Sequence, residues 1–414
     1  MKYPYLLSGA LLLSCFVAVP AWAAPLTFAQ AWAQALQHSS ALKAAGNQVQ
    51  GAEAALETAR AYPNPEIEFG RGSSRLLPPT VQTGYNSLVA LSQPLELPAL
   101  RSAKQRVAEA GIASGHAQLD DARINLYTQV KLAFLDVQRR QEEAQLTAEN
   151  HALLQQIRNR VKLRVEVGES PRYELVKSEA EALMAESAAQ TAEIRVVQSA
   201  DRLRTLIGMP FGEPFEIVQV KPMSDELPAL DKLRDELLGN QPQLRFFAAE
   251  TQRAKARLEQ ERSLRIPQPT LKWNAEHHPD VNLWRVSVSM PLPLWNQRSG
   301  PVGEAYANLE KTEAEQQRIR SGLLGELDQA YGRYRIAQRQ VHIFETGLMH
   351  DAETALKVAE AAYRYGERGI LDYLDAQRVF RNARMDYLNA RYELQFALVD
   401  IERLRATRLA GELQ

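Results

Sequence analysis

Asp372 and Asp375 stand three residues apart in Tyr363-Arg-Tyr-Gly366-Glu-Arg368-Gly-Ile-Leu-Asp372-Tyr-Leu-Asp375-Ala-Gln. On a helix that spacing places both carboxylates on one face. If symmetry repeats the pair around an axis, the acids form a ring that attracts cations and can gate a constriction. The plainer reading is that both acids fall in the first turns after a glycine break, where the helix dipole favours negative charge. On the residues alone both readings stay open.

His277-His278-Pro-Asp280 is a second cluster, with two imidazoles and a carboxylate that could ligate a metal. It sits in the turn between two expected strands, where adjacent histidines are more often simply solvated. The remaining histidines are scattered, and the chain has no Gly-rich phosphate loop and no nucleophile elbow. The reading is of a protein that is not an enzyme and takes no cofactor.

The elements that must carry these residues occur twice. Ala90-Leu-Ser-Gln-Pro-Leu-Glu-Leu-Pro-Ala-Leu-Arg101 aligns with Ser287-Val-Ser-Met-Pro-Leu-Pro-Leu-Trp-Asn-Gln-Arg298. Upstream, Tyr62-Pro-Asn-Pro65 answers Ile266-Pro-Gln-Pro269; downstream, Gly168-Glu169 answers Gly366-Glu367, with Glu174 and Asp372 in matching places. Each copy runs helix, Pro-x-Pro, two short alternating strands, a proline bend, then a very long helix with a glycine break. Two long copies are not a solenoid, which needs several short ones; they suggest a pseudo-symmetric subunit of a larger closed object.

In the second copy Leu271, Trp273 and Ala275 alternate with Lys272, Asn274 and Glu276. Trp284, Val286, Val288 and Met290 alternate with Arg285, Ser287 and Ser289. An apolar face with tryptophans and a polar face suit a transmembrane strand with lipid outside and water inside, and equally a half-buried hairpin of a soluble domain. The first copy's strands, at about 65–72 and 83–93, show a blurred alternation, with Gly72-Ser-Ser and Pro78-Pro79 read as the loop; those of the second lie at about 269–277 and 283–291. From Ala99 to Val167 there is no proline, and a helix of that length reaches about 100 Å at 1.5 Å per residue. Pro171 to Ile207, Leu26 to Arg60, and Val302 to Gln414 outside the break at Gly366 and Gly369 also read as helix. Such lengths point to coiled-coil packing, and alanines such as Ala180, Ala182 and Ala185 allow close approach.

Residues 1–23 read as an export signal: Lys2, the apolar run Leu6 to Val19, and cleavage after Ala23 in Ala21-Trp22-Ala23. Leu12-Leu-Ser-Cys15 loosely resembles a lipobox, and lipidation of Cys15 is the rival reading. Cys15 is the only cysteine, so the expected mature chain forms no disulfide and no thiolate metal site. With 49 basic and 50 acidic residues, nothing points to nucleic acid. No apolar run after the signal is long enough for a membrane helix, so membrane entry would have to be as a β-barrel. The expected organisation is a first repeat over 24–208, a connector over 209–243 with a short strand at Phe215 to Val220, and a second repeat over 244–414.

Taken together, the export signal, the duplication, the Pro-Asn-Pro and Gln-Pro-Leu-Glu-Leu hairpin flanks and the Tyr-x-x-Gly-x-Arg…Asp-x-x-Asp-Ala tip resemble the TolC-type outer-membrane efflux proteins across the mature chain. The resemblance implies a mainly α fold with a β-barrel part: a homotrimer in which each subunit gives four strands to a shared outer-membrane β-barrel and long helices to a trimeric α-helical barrel. It implies an outer-membrane lipid environment, a periplasmic adaptor (membrane fusion) protein and an inner-membrane resistance-nodulation-division pump as partners. By the same resemblance, Asp372 and Asp375 would be the constricting acid ring, and Tyr363 and Arg368 would hold the tip closed. Gly168, Glu169, Ser170, Gly366 and Glu367 would lie at the adaptor-docking tips. Glu367 beside Arg368 departs from the pattern and would pair locally with a basic neighbour. Tyr-Pro-Asn-Pro-Glu and Met-Pro-Leu-Pro-Leu-Trp-Asn-Gln-Arg-Ser-Gly resemble most the heavy-metal branch, the CzcC-like cobalt–zinc–cadmium efflux components. That implies a passive exit duct for divalent metal cations; drug efflux or type I secretion is the alternative. A periplasmic coiled-coil scaffold without a pore is a rival of another class.

Overall fold

The structure is a computed structural model and describes residues 25–75, 83–210, 216–219 and 227–407. The expected export signal, with Cys15 and the cleavage after Ala23, lies outside the described residues, as do Phe215 and Val220.

The element order repeats. The first half runs α1 (Phe28–His38), α2 (Ser40–Arg60), β1 (Glu66–Arg75), β2 (Thr83–Pro94), α3 (Pro98–Glu166) and α4 (Arg172–Ile207). The second runs α5 (Leu230–Asn240), α6 (Pro242–Ser263), β3 (Thr270–His277), β4 (Asn282–Ser289), α7 (Ser299–Ile343), a π-helical turn (Phe344–Leu348), α8 (Met349–Arg364) and α9 (Ile370–Arg405). Matching helices agree in length: α1 and α5 have 11 residues each, and α4 and α9 have 36 each. Length agreement at this level makes the duplication structural as well as sequential.

The helix expected over Leu26 to Arg60 is two helices. Ser39 leaves the helical region at φ −65°, ψ 110°, and its hydroxyl accepts from the Leu42 amide at 3.2 Å, the usual work of an N-cap. Gln241 breaks α5 from α6 with a similar backbone, φ −65°, ψ 119°, but without a side-chain cap; Pro242 stands at the first helical position, where its missing N–H costs nothing. The segment expected as connector therefore contains α5. Its Leu233 and Leu237, one turn apart, are fully buried against α7 and α9 with Leu327, Ile401 and Leu404. The corresponding core of the first half packs α1 on α3 and α4 around Phe134, Leu203 and Ile207. There Phe28 meets Tyr127 and Phe134 edge-on at 5.5 and 5.8 Å. Part of the expected strand at 215–220 is seen as a parallel bridge of Ile217 to Leu26.

The four strands form one antiparallel sheet in the order β1-β2-β3-β4. The ladder from Glu66↔Ser92 to Arg75↔Thr83 draws Gly72, Ser73 and Ser74, expected in the loop, into β1. Cross-strand register aligns the faces. Phe69 lies opposite Val89, Val89 opposite Ala275, and Ala275 opposite Trp284. Ile67, Leu91, Trp273 and Val286 continue the same face, which is exposed, with Phe69 at 77% and Trp284 at 76%. The opposite face carries Glu68, Asn274 and Arg285. The blurred alternation in β2 also has its reason: Leu88, on the face that carries Glu68, Asn274 and Arg285, lies over Gly70, where a Cβ would come within 3.3 Å of the Leu88 Cβ.

At the end of the long helices remote from the sheet, α3, α4, α8 and α9 share a third core. Ile157, Val161, Ala182 and Ala185 meet Ile370, Tyr373 and Leu374 there. Small alanines on α4 let it approach α3 closely, and the larger side chains opposite fill the space.

Candidate functional site

Both glycine breaks are the same backbone structure. In the first, Glu169 N–H donates to Arg164 C=O at 2.8 Å and Gly168 N–H to Val165 C=O at 3.1 Å. In the second, Glu367 N–H donates to Ala362 C=O at 2.9 Å and Gly366 N–H to Tyr363 C=O at 3.2 Å. These are the paired bonds of a Schellman motif, and they require a left-handed residue after the last helical one. Gly168 and Gly366 supply it at φ +82° and +79°. Each chain reversal is thus set by one glycine, and it aims the next helix back along its predecessor.

The reversal puts Asp372 in the first turn of α9 and Glu174 in the first turn of α4. Asp372 and Asp375 are exposed, while Tyr373 and Leu374 between them are buried in the tip core. One helix face therefore presents acids outward and the adjoining face fixes their position. Neither acid is alone. Asp372 accepts from Arg368, one turn earlier, at 3.5 Å, and Asp375 pairs with Arg378. Arg368, in the turn between α8 and α9, thus reaches forward to Asp372, and among the described residues no ion pair forms at Glu367. At the first tip, Glu169 pairs with Arg164 at 3.5 Å, and Ser170 is half-buried beside it.

Tyr363 is partly buried between the two halves. Its ring lies nearly parallel to that of Tyr373, with centroids 5.8 Å apart and 9° between planes. The Arg164 guanidinium lies 5.4 Å from the Tyr363 ring centroid. Proximity to Tyr363 first, then Glu169, raises the Arg164 pKa above its ordinary value. Burial raises the phenol of Tyr373, so it stays neutral and acts as a packing group. Arg164 and Tyr373 were not singled out from sequence. Arg164 is one of many arginines on an exposed helix, and only the fold brings it to Tyr363.

His277 and His278 do not converge. His277 bonds to the Asn282 side chain and His278 to Glu276 at 3.2 Å. Among the described residues no group of three metal-ligating side chains forms.

A feature without a sequence signal is the π-helical turn at Phe344–Leu348, where Met349 N–H reaches back to Phe344 C=O. The first half has unbroken α-helix along all of α3. Within the turn, Glu345 accepts from the Tyr387 hydroxyl at 3.0 Å, and Phe344 packs on the same ring at 5.8 Å. Such turns mark local re-aiming of side chains within a helix.

The outer membrane efflux protein family matches residues 31–209 and 233–407, one stretch for each half of the duplication. The chain belongs to this family. Its members are non-enzymatic transporters, so the chain is an outer-membrane efflux protein. The chain is 26% identical over 384 residues to the cobalt-zinc-cadmium resistance protein CzcC of Cupriavidus metallidurans, covering 92% of this chain and 90% of that one. Its fold is that of the outer-membrane channel OprN, with a TM-score of 0.82 at 16% identity over 92% of this chain and 89% of that one. The Campylobacter jejuni outer membrane channel CmeC gives 0.77 at 16% identity, covering 92% and 85%. No described helix is long and apolar enough to cross a membrane.

Proposed function

We propose that three copies of this chain form the outer-membrane duct of a tripartite efflux system for divalent heavy-metal cations of the cobalt, zinc and cadmium type. The observation that carries the channel reading is the sheet. One face is apolar and exposed, the other is polar, and among the described residues the outer edges of β1 and β4 have no partner strand. Backbone groups at such edges cannot be left unpaired in lipid, so the sheet must close with others. Three four-stranded sheets joined edge to edge give a barrel with lipid outside and water within.

The helices would continue the wall into the periplasm, with the tips at Gly168 and Gly366 meeting an adaptor. The energy would come from an inner-membrane resistance-nodulation-division pump, and the duct itself would be passive. Asp372 and Asp375 would ring the constriction, and Tyr363 and Arg368 would help hold it closed. The metal cargo is supported by the likeness to CzcC along nearly the whole chain. Deletion of the gene followed by growth in zinc, cobalt, cadmium, copper and a drug panel tests the cargo; sensitivity to drugs alone would leave a drug duct instead. Conductance of the purified protein in planar bilayers tests the channel, because a coiled-coil scaffold would show none.

A further inference from the structure

The two proline bends between strand and helix have the same sequence pattern but different surroundings. In the first, Leu95 N–H donates to Pro269 C=O at 2.8 Å. Leu97 N–H donates to the side-chain oxygen of Gln268, also at 2.8 Å. Both acceptors belong to the Pro-Gln-Pro that leads into β3, the strand paired with β2. The rule is simple. The bend that follows a strand docks on the Pro-x-Pro that precedes the neighbouring strand.

In the second bend, Leu292 and Leu294 take the places of Leu95 and Leu97. Among the described residues their backbone has no such partner; the Leu294 amide closes only a tight turn to Leu292 C=O at 2.9 Å. The side chains are bare, with Leu292 at 67% and Trp295 at 93% exposed. The missing acceptor is at the opposite edge of the same sheet. Tyr62-Pro-Asn-Pro65 leads into β1 as Ile266-Pro-Gln-Pro269 leads into β3, with Asn64 in the place of Gln268 and Pro65 in that of Pro269. Asn64 and Pro65 are exposed.

We infer that the second bend docks on the Pro-Asn-Pro segment of a second copy of this chain: Leu292 N–H donates to the Pro65 carbonyl, Leu294 N–H donates to the Asn64 side-chain oxygen, and Trp295 is covered at the joint. The inference rests on the barrel reading above, since it needs β4 of one copy beside β1 of the next. It adds a hydrogen-bonded clasp below the barrel that the repeat already makes once within the chain. Asparagine is one methylene shorter than glutamine, so the second clasp brings the two segments closer. Trp295, which stands where the first bend has Pro98, supplies the apolar contact there.

The test uses the full chain in outer membranes. Asn64→Cys with Leu294→Cys, treated with a short bismaleimide, is expected to give dimer and trimer bands on denaturing gels. Each single substitution is expected to give monomer only, which excludes Cys15 as a partner. Gln268→Cys with Leu97→Cys is the control and is expected to join within one chain. A second measurement needs no substitution: hydroxyl-radical labelling of Trp295 is expected to fall at least fivefold in the assembled protein relative to the dissociated chain. If the native protein sizes as a trimer while the first pair stays monomeric and Trp295 labels fully, the clasp is wrong and the channel reading stands. A native protein that sizes as a monomer removes both.

Discussion

Arg164 holds its guanidinium over the ring of Tyr363 and so joins the end of α3 to the end of α8, two helices from different halves of the duplication. A cation over an aromatic ring contributes about 0.5–1 kcal/mol where, as with the partly exposed Arg164 guanidinium, it stays in reach of water. That is enough to bias a tip without locking it. Tyr363→Ala, which removes both the cation contact and the stack on Tyr373, is expected to raise single-channel conductance; Tyr363→Phe keeps the ring and is expected to leave it near the wild-type level. Equal conductance for the two variants would show that the ring does not close the tip.

The pairing of Asp372 with Arg368 and of Asp375 with Arg378 changes what the acid pair can do. Exposed pairs of this kind are worth roughly 0–1 kcal/mol, so their weight is in the local field more than in stability. Asp372→Ala with Asp375→Ala is expected to lower cation selectivity and raise conductance. Arg378→Ala is expected to do the reverse to selectivity, because it frees a carboxylate. Reversal potentials in a salt gradient read both effects, and unchanged values in both variants would remove the acid ring.

The two tip glycines have open space around the position of a Cβ, so substitution meets backbone strain alone. Gly168→Ala and Gly366→Ala are each expected to cost about 1–2 kcal/mol, the penalty of a left-handed conformation for a residue with a side chain. Thermal unfolding of each variant measures this. Gly347→Ala, at a helical φ in the π-helical turn, serves as the comparison and is expected to be near neutral or mildly stabilising.

On the sheet, Val286 faces outward with the apolar set while Ser287 faces the other way. Val286→Arg is expected to cost roughly 2–4 kcal/mol if the residue lies near the bilayer midplane, seen as lost insertion in membrane fractions. Ser287→Arg is expected to insert normally and change ion selectivity. Normal insertion of both would mean that this face does not meet lipid.

How much of this was legible depended on whether the signal was local. The second hairpin could be read because Trp273, Ala275, Trp284 and Val286 alternate with polar residues such as Lys272, Asn274, Arg285 and Ser287, and two-residue period is a local property. The β2 strand was harder, because Leu88 fills the space left by Gly70 on another strand. The break at Ser39 was hidden in a run of good helix formers, where one hydroxyl decides the cap. Nothing in Phe344–Leu348 distinguishes a π-helical turn from α-helix by residue type. The partnership of Arg164 with Tyr363 joins residues far apart in sequence and appears only once the two tips share a core. The acid pair was legible as a pair, whereas its arginine partners emerged from helix geometry.

The open edges of β1 and β4 bear on how many ducts a cell can own. On the barrel reading, a copy that has not met its neighbours carries two adhesive strand edges and an apolar wall through water, a condition that favours clumping and proteolysis. Capture by other copies must outrun those losses. If a closed barrel consumes three copies at once, as proposed above, its yield falls more steeply than the supply of chains when synthesis is low. On that reading, the same sheet that makes a wall in lipid makes duct number a sharp, non-linear function of expression.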